Sequence, residues 1–291
     1  MSLVRQDLES RVNLLRRFTR RPGRTAAEAT ALVAAAVVAF PLYWMVLSAF
    51  KPAGEIRGEP RPWTLAPTLD SFRRVFGQQD FGRYFLNSVV VAVAVVIASA
   101  FIAFLAATAV TRFRFRLRTT LLIMFLVAQM VPVEALTIPL FFVMRDLGQL
   151  NTLWSLILPH IAFSLPFAIW MLRGFVKGVP EALEEAAYMD GASRARFLWQ
   201  ILFPLVLPGL VATSVFSFIS AWNDFLFAKS FIISDISQST LPMALLVFYK
   251  PDDPDWGGVM AASTVMTIPV LVFFVLVQRR LVSGLGGAVK D

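Results

Sequence analysis

The sequence predicts an all-α membrane protein with six transmembrane helices and both termini in the cytoplasm. Of its 291 residues, 57% are hydrophobic and only 16% are charged, whereas soluble domains carry about 25% charged residues. Apolar runs of the roughly 20 residues that a span requires cover residues 29–50, 84–111, 119–144, 150–173, 200–228 and 258–279. Because these runs are continuous and do not alternate, they exclude the strands of a membrane β-barrel. Prolines inside the runs, Pro132 among them, are expected to bend the helices.

The first run, residues 29–50, is predicted to stay in the protein as a membrane helix. Its apolar stretch is longer than the roughly 7–15 residues of a signal peptide. It also continues through Pro41, Tyr43 and Trp44 without an obvious small-residue cleavage site. The basic segment before it, residues 1–28, interleaves arginine with leucine and phenylalanine. This pattern fits either an amphipathic helix on the membrane surface or a disordered basic tail.

The distribution of Lys and Arg predicts the orientation, because cytoplasmic loops carry an excess of these residues. The N-terminal segment, the loops after the second and fourth spans and the tail hold 18 of the 27 basic residues. The first outer loop, residues 51–83, holds six, and the other two outer loops hold three. We therefore expect residues 174–199 and the tail of residues 282–291 in the cytoplasm. The net charge of +8 then indicates contact with membrane lipid rather than with nucleic acid.

The residue types that are missing argue against an enzyme. The chain has no cysteine and one histidine, which excludes disulfides and thiolate metal sites. His160 is expected to be a satisfied buried histidine rather than a metal ligand. The sequence contains no GxxxxGK[ST] phosphate loop, and the isolated Glu134 and Asp224 do not form a convincing catalytic pair. We expect no catalytic residue, no metal and no cofactor bound by this chain. A secondary transporter is the other candidate class, but it would usually show an internal repeat, and none is clear.

The coupling loop, residues 174–199, contains a charged helical segment between two apolar spans. Pro180 suits the first turn of a helix, Gly191 is predicted to stop that helix, and Ser193 is predicted to cap the next one. Three carboxylates follow Pro180, where the helix dipole favours negative charge: Glu181, Glu184 and Glu185. From these patterns alone, the segment is either a contact for a cytoplasmic partner or a plain connector.

A longer motif favours the first of these interpretations. Glu185-Ala186-Ala187, Gly191, Ile201 and Pro204 resemble the EAA signature of bacterial ATP-binding-cassette (ABC) importer permeases. That signature is Glu-Ala-Ala, three residues, Gly, nine residues, Ile, one residue and Leu-Pro, and Phe203 replaces its Leu here. The resemblance implies an ATPase-coupling set made of Glu181, Glu184, Glu185, Ala186, Ala187, Asp190, Gly191, Ala192 and Ser193.

Further segments are similar to the sugar permeases of the maltose-transporter type, specifically their shorter six-span subunit. They are Pro67-Thr68-Leu69 with Phe72, Asn87-Ser88, Ile138-Pro139-Leu140, Trp222-Asn223-Asp224 and the glycine-rich tail Gln278–Lys290. The tail reads GLGGAVK, which is about one residue shorter than the family pattern and lacks its Thr. The resemblance implies a type I ABC importer permease bundle and a tail that contacts the ATPase.

The same resemblance implies a set of partners and a mechanism. A second homologous permease would complete the pore as a heterodimer, and an ATPase dimer holding ATP and Mg would bind the coupling loops. A periplasmic or extracellular binding protein would deliver a sugar or oligosaccharide, which crosses the inner membrane by alternating access. Another small polar solute, such as glycerol phosphate, is the alternative cargo.

Polar residues within the spans are candidates for the solute pathway, because such groups are costly in lipid and usually face a cavity or the bundle interior. They are Asn87, Gln129, Glu134, Asn223 and Asp224. The other interpretation is that they hold helices together.

The same resemblance implies that the loop of residues 231–256 reaches into the binding protein. Its candidate docking residues are Tyr249, Asp252, Asp253, Asp255 and Trp256, although a solvated connector fits the sequence equally well.

Overall fold

The structure is a computed structural model that describes residues 22–77, 80–249 and 251–286, with side chains described between residues 27 and 278. The predicted basic segment before residue 22 and the end of the glycine-rich tail lie outside the described residues. The described α-helices are α1 (Pro22–Ala49), α2 (Ala53–Arg57), α3 (Asp70–Gly77), α4 (Phe81–Arg112), α5 (Arg118–Ala128), α6 (Thr137–Asp146), α7 (Trp154–Gly178), α8 (Glu181–Met189), α9 (Arg194–Trp222), α10 (Leu226–Phe231), α11 (Leu241–Phe248) and α12 (Trp256–Gly286). No strand occurs in these ranges.

Five helices are long and apolar enough to cross a membrane: α4, α7, α9, residues Ala27–Ala49 of α1 and residues Trp256–Gln278 of α12. The predicted span of residues 119–144 is not one helix. It is broken into α5 and a second part, Val133–Asp146, which are bent by 95° relative to each other. The described residues therefore contain six spans only if this bent pair is counted as one.

Pro132 gives the physical reason for the break. Proline has no N–H to donate, and its ring disfavours the helical conformation of the residue before it. The helix therefore ends at Ala128, and a short 3₁₀ turn, Val133–Leu136, precedes α6. The Gln129 side chain donates to the carbonyl oxygen of Phe163 on α7 at 3.0 Å, which ties the break to a neighbouring helix. The expected proline bend at this position is thus a complete interruption.

The helices α4, α7 and α9 form the centre of the bundle. At one end, Phe104, Leu172 and Leu202 are fully buried in one apolar cluster. At the other end, Trp222 and Phe227 belong to a second cluster. Small polar residues join helices between them, as in the 3.1 Å hydrogen bond from Ser99 Oγ to Ser217 Oγ. The apolar outer faces that remain exposed are those expected of helices surrounded by lipid.

The first turns of α9 are irregular. Phe197–Leu202 form a π-helical turn between the short α-helical start, Arg194–Arg196, and the long segment Phe203–Trp222. Trp199 in this turn packs against Phe101, with ring centres 6.0 Å apart, and against Phe104, at 5.5 Å. These contacts fix the end of the bundle from which the coupling loop emerges.

Candidate partner-docking site

The helix α8, Glu181–Met189, forms in the middle of the coupling loop and is called the docking helix below. It begins one residue later than predicted, because Pro180 has extended dihedrals (φ −57°, ψ 136°) and lies just before the first helical residue. The carbonyl oxygen of Pro180 accepts from the N–H of Leu183 at 3.2 Å. Glu181 and Glu184 lie in the first turn, where the helix dipole stabilises their charge.

Gly191 ends the docking helix, as the sequence predicted. Its φ of +80° lies in the left-handed region, which glycine enters without the steric cost that a Cβ imposes. The N–H of Gly191 donates to the Tyr188 carbonyl oxygen at 3.0 Å, and the N–H of Ala192 donates to that of Ala187 at 2.9 Å. This pair of bonds is the Schellman motif. The predicted cap of the next helix is also present, since Ser193 Oγ accepts from the N–H of Arg196 at 3.2 Å.

Arg112, the last residue of α4, connects the docking helix to two membrane helices. Its side chain is only 7% exposed. One terminal nitrogen donates to the carbonyl oxygen of Val179 at 2.8 Å and to that of Val176, at the end of α7, at 3.3 Å. On the docking helix, Glu184 lies 3.3 Å from Arg112 Nε and Glu181 lies 3.7 Å from a terminal nitrogen.

The sequence interpretation missed this role. In the sequence, Arg112 is one of four arginines that follow the second span, and its distance along the chain from other residues does not identify a partner. Arginine suits the position because its planar group offers several donors in a fixed arrangement. One side chain therefore holds the ends of α4 and α7 and the start of the docking helix together.

The inner face of the docking helix is packed against the bundle. Ala187 is buried, and the Tyr188 ring lies 5.9 Å from that of Phe197 on α9. The Tyr188 hydroxyl donates to Glu184 Oε1 at 2.9 Å. Burial, together with this hydrogen bond and the Glu184 charge, raises the pKa of Tyr188 above its ordinary value, although nearby arginines oppose the shift.

The side chains on the outer face of the docking helix form no hydrogen bond or ion pair with the rest of the described chain. Ala182, Glu185 and Ala186 are exposed, and Met189 is 88% exposed. Within the described residues, the Glu185 carboxylate has no hydrogen bond or ion pair. An exposed apolar side chain beside an unpaired carboxylate, on a rigidly capped helix, is suited to docking against another protein.

At the opposite end of the bundle, the loop of residues 231–256, which contains the predicted docking residues for a binding protein, is joined to the first outer loop by ion pairs. Arg74 on α3 donates to both carboxylate oxygens of Asp255, at 3.0 and 3.1 Å, and Arg57 on α2 pairs with Asp253. We call these two ion pairs the outer clasp. Asp252 is exposed and makes no such contact with the described residues.

The aromatic pair of this loop, Tyr249 and Trp256, packs edge to face with ring centres 6.0 Å apart, and both residues remain largely exposed. Of the predicted docking residues, these two and Asp252 therefore present free surface.

The Arg74–Asp255 pair of the outer clasp is expected to open at acidic pH. Burial raises the pKa of Asp255, but hydrogen bonds from Arg74 and from the N–H of Gly258, with the charges of Arg74 and Arg57, lower it overall. The contribution of the Arg74–Asp255 pair to stability is therefore complete above the ordinary aspartate pKa of about 4 and is lost as the pH falls through the lower pKa of Asp255 in the folded protein. Thermal unfolding of the purified transporter should show a gap between wild type and Asp255→Asn that is constant near neutral pH and closes in acid. Asp252→Asn, in the same loop, should show no gap, and a gap for Asp255→Asn that persists in acid would contradict the assignment.

Two of the candidate pathway residues are used inside the fold. Asn87 is buried, and its amide nitrogen donates to the carbonyl oxygens of Ser237 and Ser239 at 2.9 Å each. Asp224 accepts from the backbone N–H groups of Phe227 and Ala228 at 3.1 Å each. These contacts fit the interpretation that polar residues hold helices and loops together.

The other polar residues of the spans have different surroundings. Gln129 donates a hydrogen bond to α7 at the break in the span. Gln129, Glu134 and Asn223 are all exposed. These three stay candidates for the solute pathway. His160 is buried, as predicted, and its Nε2 lies 3.6 Å from an Asp224 carboxylate oxygen. This nitrogen has no hydrogen-bond partner among the described residues, so the prediction of a satisfied histidine is not confirmed.

Comparison with known proteins identifies the family. Residues 99–286 match the family model described as the binding-protein-dependent transport system inner membrane component. The chain belongs to this family of permeases. It is 40% identical over 270 residues to the diacetylchitobiose uptake system permease protein DasC of Streptomyces coelicolor, covering 92% of this chain and 98% of the relative. It is 36% identical over 264 residues to the trehalose/maltose transport system permease protein MalG of Thermococcus litoralis, covering 89% and 94%.

A solved structure supports the fold. The permease resembles a chain of a bacterial ABC transporter involved in the import of alginate, with a TM-score of 0.76, 20% identity and coverage of 90% and 98% of the two chains. The predicted family, the all-α permease fold and the multi-pass location in the inner membrane are confirmed. The cytoplasmic position of the termini stays a prediction.

Proposed function

We propose that this permease is the shorter membrane subunit of a binding-protein-dependent ABC importer and carries a sugar or oligosaccharide by alternating access. The observation that carries the proposal is the docking helix, which begins after Pro180, is capped at Gly191, is anchored by Arg112 and is exposed on its outer face. The relatives named for diacetylchitobiose and for trehalose and maltose support a sugar as cargo. They favour a sugar over the alternative of glycerol phosphate.

In this proposal the energy comes from outside the chain. A separate ATPase dimer binds ATP and Mg, and one of its subunits receives the free face of the docking helix. A second, homologous permease completes the pore as a heterodimer. A binding protein delivers the solute at the opposite end, beside the outer clasp; an alginate importer of similar fold has been solved with its solute-bound periplasmic protein.

The contacts of Arg112 suggest the route by which ATPase movement reaches the pore. When the docking helix shifts, Glu184 moves with it and displaces the Arg112 side chain that it contacts. Arg112 is the last residue of α4 and is hydrogen-bonded to the end of α7, so both helices are displaced together. Both of these helices belong to the centre of the bundle. A rigid-body displacement of the docking helix would therefore move α4 and α7 together, as a switch between two states requires.

Replacement of Glu185 tests the docking assignment. Glu185→Gln removes an exposed charge without a partner in the chain, so folding and membrane insertion should be unchanged. We expect uptake and ATPase co-purification to fall about tenfold, because losing one charged interface contact costs on the order of 1–2 kcal/mol. Glu59→Gln, which is exposed at the opposite end, is the control. Normal uptake and normal co-purification for both Glu185→Gln and Glu185→Ala would contradict the assignment.

The class of solute is tested separately, by ligand screening of the cognate binding protein. We expect a mono-, di- or oligosaccharide to bind. If only non-sugar solutes bound, the sugar assignment would be wrong, while the docking experiment on Glu185 would still decide whether the chain is an importer permease.

A further inference from the structure

A groove of about 660 Å³ lies between the start of α5 and the last turns of α7, on the docking-helix side of the bundle. One part of its lining is strongly basic and consists of Arg114, Arg116, Arg118 and Arg173. The other part is apolar and consists mainly of Leu122, Ile123, Leu126 and Trp170. Among the described residues, no Asp or Glu lines it.

The two kinds of lining are ordered along α5 and along α7. In α5, the rise of about 1.5 Å per residue places Leu126 about 12 Å along the helix from Arg118. On the facing helix, Arg173 lies near the end of α7, and Trp170 lies about one turn further into the span. The groove is thus cationic at the helix ends next to the loops and apolar further into the predicted spans. A phospholipid has this same order, with a charged headgroup above apolar acyl chains.

The arginines of the groove have no carboxylate partner in the described chain. Arg57, Arg74 and Arg112 all form ion pairs, whereas none is present for the four groove arginines. Arg173 Nε is buried without a hydrogen-bond partner, and its guanidinium carbon lies 5.6 Å from the centre of the Trp170 ring. Buried donors are normally satisfied, and this one has no acceptor among the described residues.

Two of these arginines also face the docking helix. Arg114 and Arg118 line an adjoining cavity of about 530 Å³ together with Glu181, Glu184 and Glu185. Arg116 and Arg173 do not line that cavity. Of these two cavities, Arg116 and Arg173 line only the groove.

We propose that this groove binds one anionic phospholipid from the leaflet on the docking-helix side. The headgroup phosphate accepts hydrogen bonds from Arg116 and Arg173, and one acyl chain lies along Leu122, Ile123 and Leu126. Arginine forks match phosphate oxygens in geometry as well as in charge. Basic pockets between membrane helices at the cytoplasmic side are suited to anionic headgroups. The inference rests on the membrane location and does not depend on which solute is carried.

Trp170 provides the measurement, because it is 42% exposed in the groove. The complete transporter is placed in phosphatidylcholine nanodiscs that contain increasing amounts of brominated phosphatidylglycerol or brominated phosphatidylcholine. Bromine quenches nearby indole fluorescence, and subtracting the Trp170→Phe signal isolates the contribution of this residue. We expect Trp170 to be quenched at a much lower fraction of brominated phosphatidylglycerol than of brominated phosphatidylcholine.

Variants separate a specific site from general charge attraction. In Arg116→Gln/Arg173→Gln, the preference for phosphatidylglycerol should fall about 30-fold, since each basic contact contributes about 1 kcal/mol. The control Arg83→Gln/Lys229→Gln removes two exposed cations at the opposite end and should keep the preference. The proposal is overturned if neither lipid quenches Trp170, which would mean that a protein subunit covers the groove. It is equally overturned if both lipids quench alike, or if the preference survives in the groove variant or is lost in the control.

Discussion

Replacing Arg112 with alanine is expected to reduce solute uptake by more than tenfold while the permease remains in the membrane. The substitution removes two hydrogen bonds to carbonyl oxygens and two carboxylate contacts from one buried side chain. Hydrogen bonds from a charged group are worth about 1.5–3 kcal/mol each, so the loss is about 3 kcal/mol or more. A loss of that size changes the equilibrium between an anchored and a detached docking helix about 100-fold.

The informative measurement compares ATP hydrolysis by the reconstituted transporter with and without loaded binding protein. In Arg112→Ala, we expect hydrolysis to continue but to lose its stimulation, because ATPase movement no longer reaches α4 and α7. Arg112→Lys keeps the charge but not the fork of donors, so it should restore only part of the coupling. Arg196→Ala removes an exposed charge close to the docking helix and serves as the control. If Arg112→Ala transported at the wild-type rate, the proposed route through this side chain would be wrong.

Substitution of Gly191 is expected to disrupt coupling in proportion to the cost of a left-handed backbone. No atom lies within 4 Å of the position that a Cβ would take, so the penalty is purely conformational. It is about 1–2 kcal/mol for an ordinary residue, largest when the side chain is branched at Cβ, and smallest for Asn. Uptake should therefore be highest in the wild type and decrease through Gly191→Asn and Gly191→Ala to Gly191→Val, which should lie about 30-fold below wild type.

The chain contains its own matched control for this series. Gly148 ends α6 with φ +66°, free space around its Cβ position and the same two bonds, from Gly148 N–H to the Arg145 carbonyl oxygen and from Gln149 N–H to that of Met144. Gly148→Val carries the same backbone strain far from the docking helix. It should lower thermal stability without changing the ratio of transport to ATP hydrolysis. Equal uncoupling by the Gly148 and Gly191 variants would show that general destabilisation, rather than the docking helix, explains the effect.

Local signals in the sequence were sufficient for the docking helix and for most spans. A glycine needed at positive φ and a serine cap act within a few residues, so Gly191 and Ser193 could be assigned without a structure. The contacts of Arg112 could not, because its partners at Val176, Val179 and Glu184 are more than 60 residues away in the chain. Their proximity depends on how α4 packs against α7.

The broken span also shows where sequence-based prediction fails. Hydropathy is averaged over residues 119–144 and therefore does not detect that Pro132 interrupts the helix.

For a similar reason, the sequence could not show which polar candidates are used inside the fold and which remain exposed. The sequence shows that Asn87 and Asp224 are polar residues within predicted spans. Only the structure shows that Asn87 donates to carbonyl oxygens of a loop and that Asp224 accepts from backbone N–H groups of α10. Gln129, Glu134 and Asn223 have exposed surface, and the second permease would determine what that surface contacts.

The caps of the docking helix make it a self-contained module. Its hydrogen bonds begin at Pro180 and close at Gly191, and its attachment uses Glu184 and the buried Ala187. The outward residues, such as Glu185 and Met189, take no part in either. Mutations on that face can therefore accumulate without disturbing the membrane core. If the proposed ATPase docks on this face, specificity for one ATPase over another could diverge between duplicated permeases, or be transferred between them, by exchanging only a few side chains.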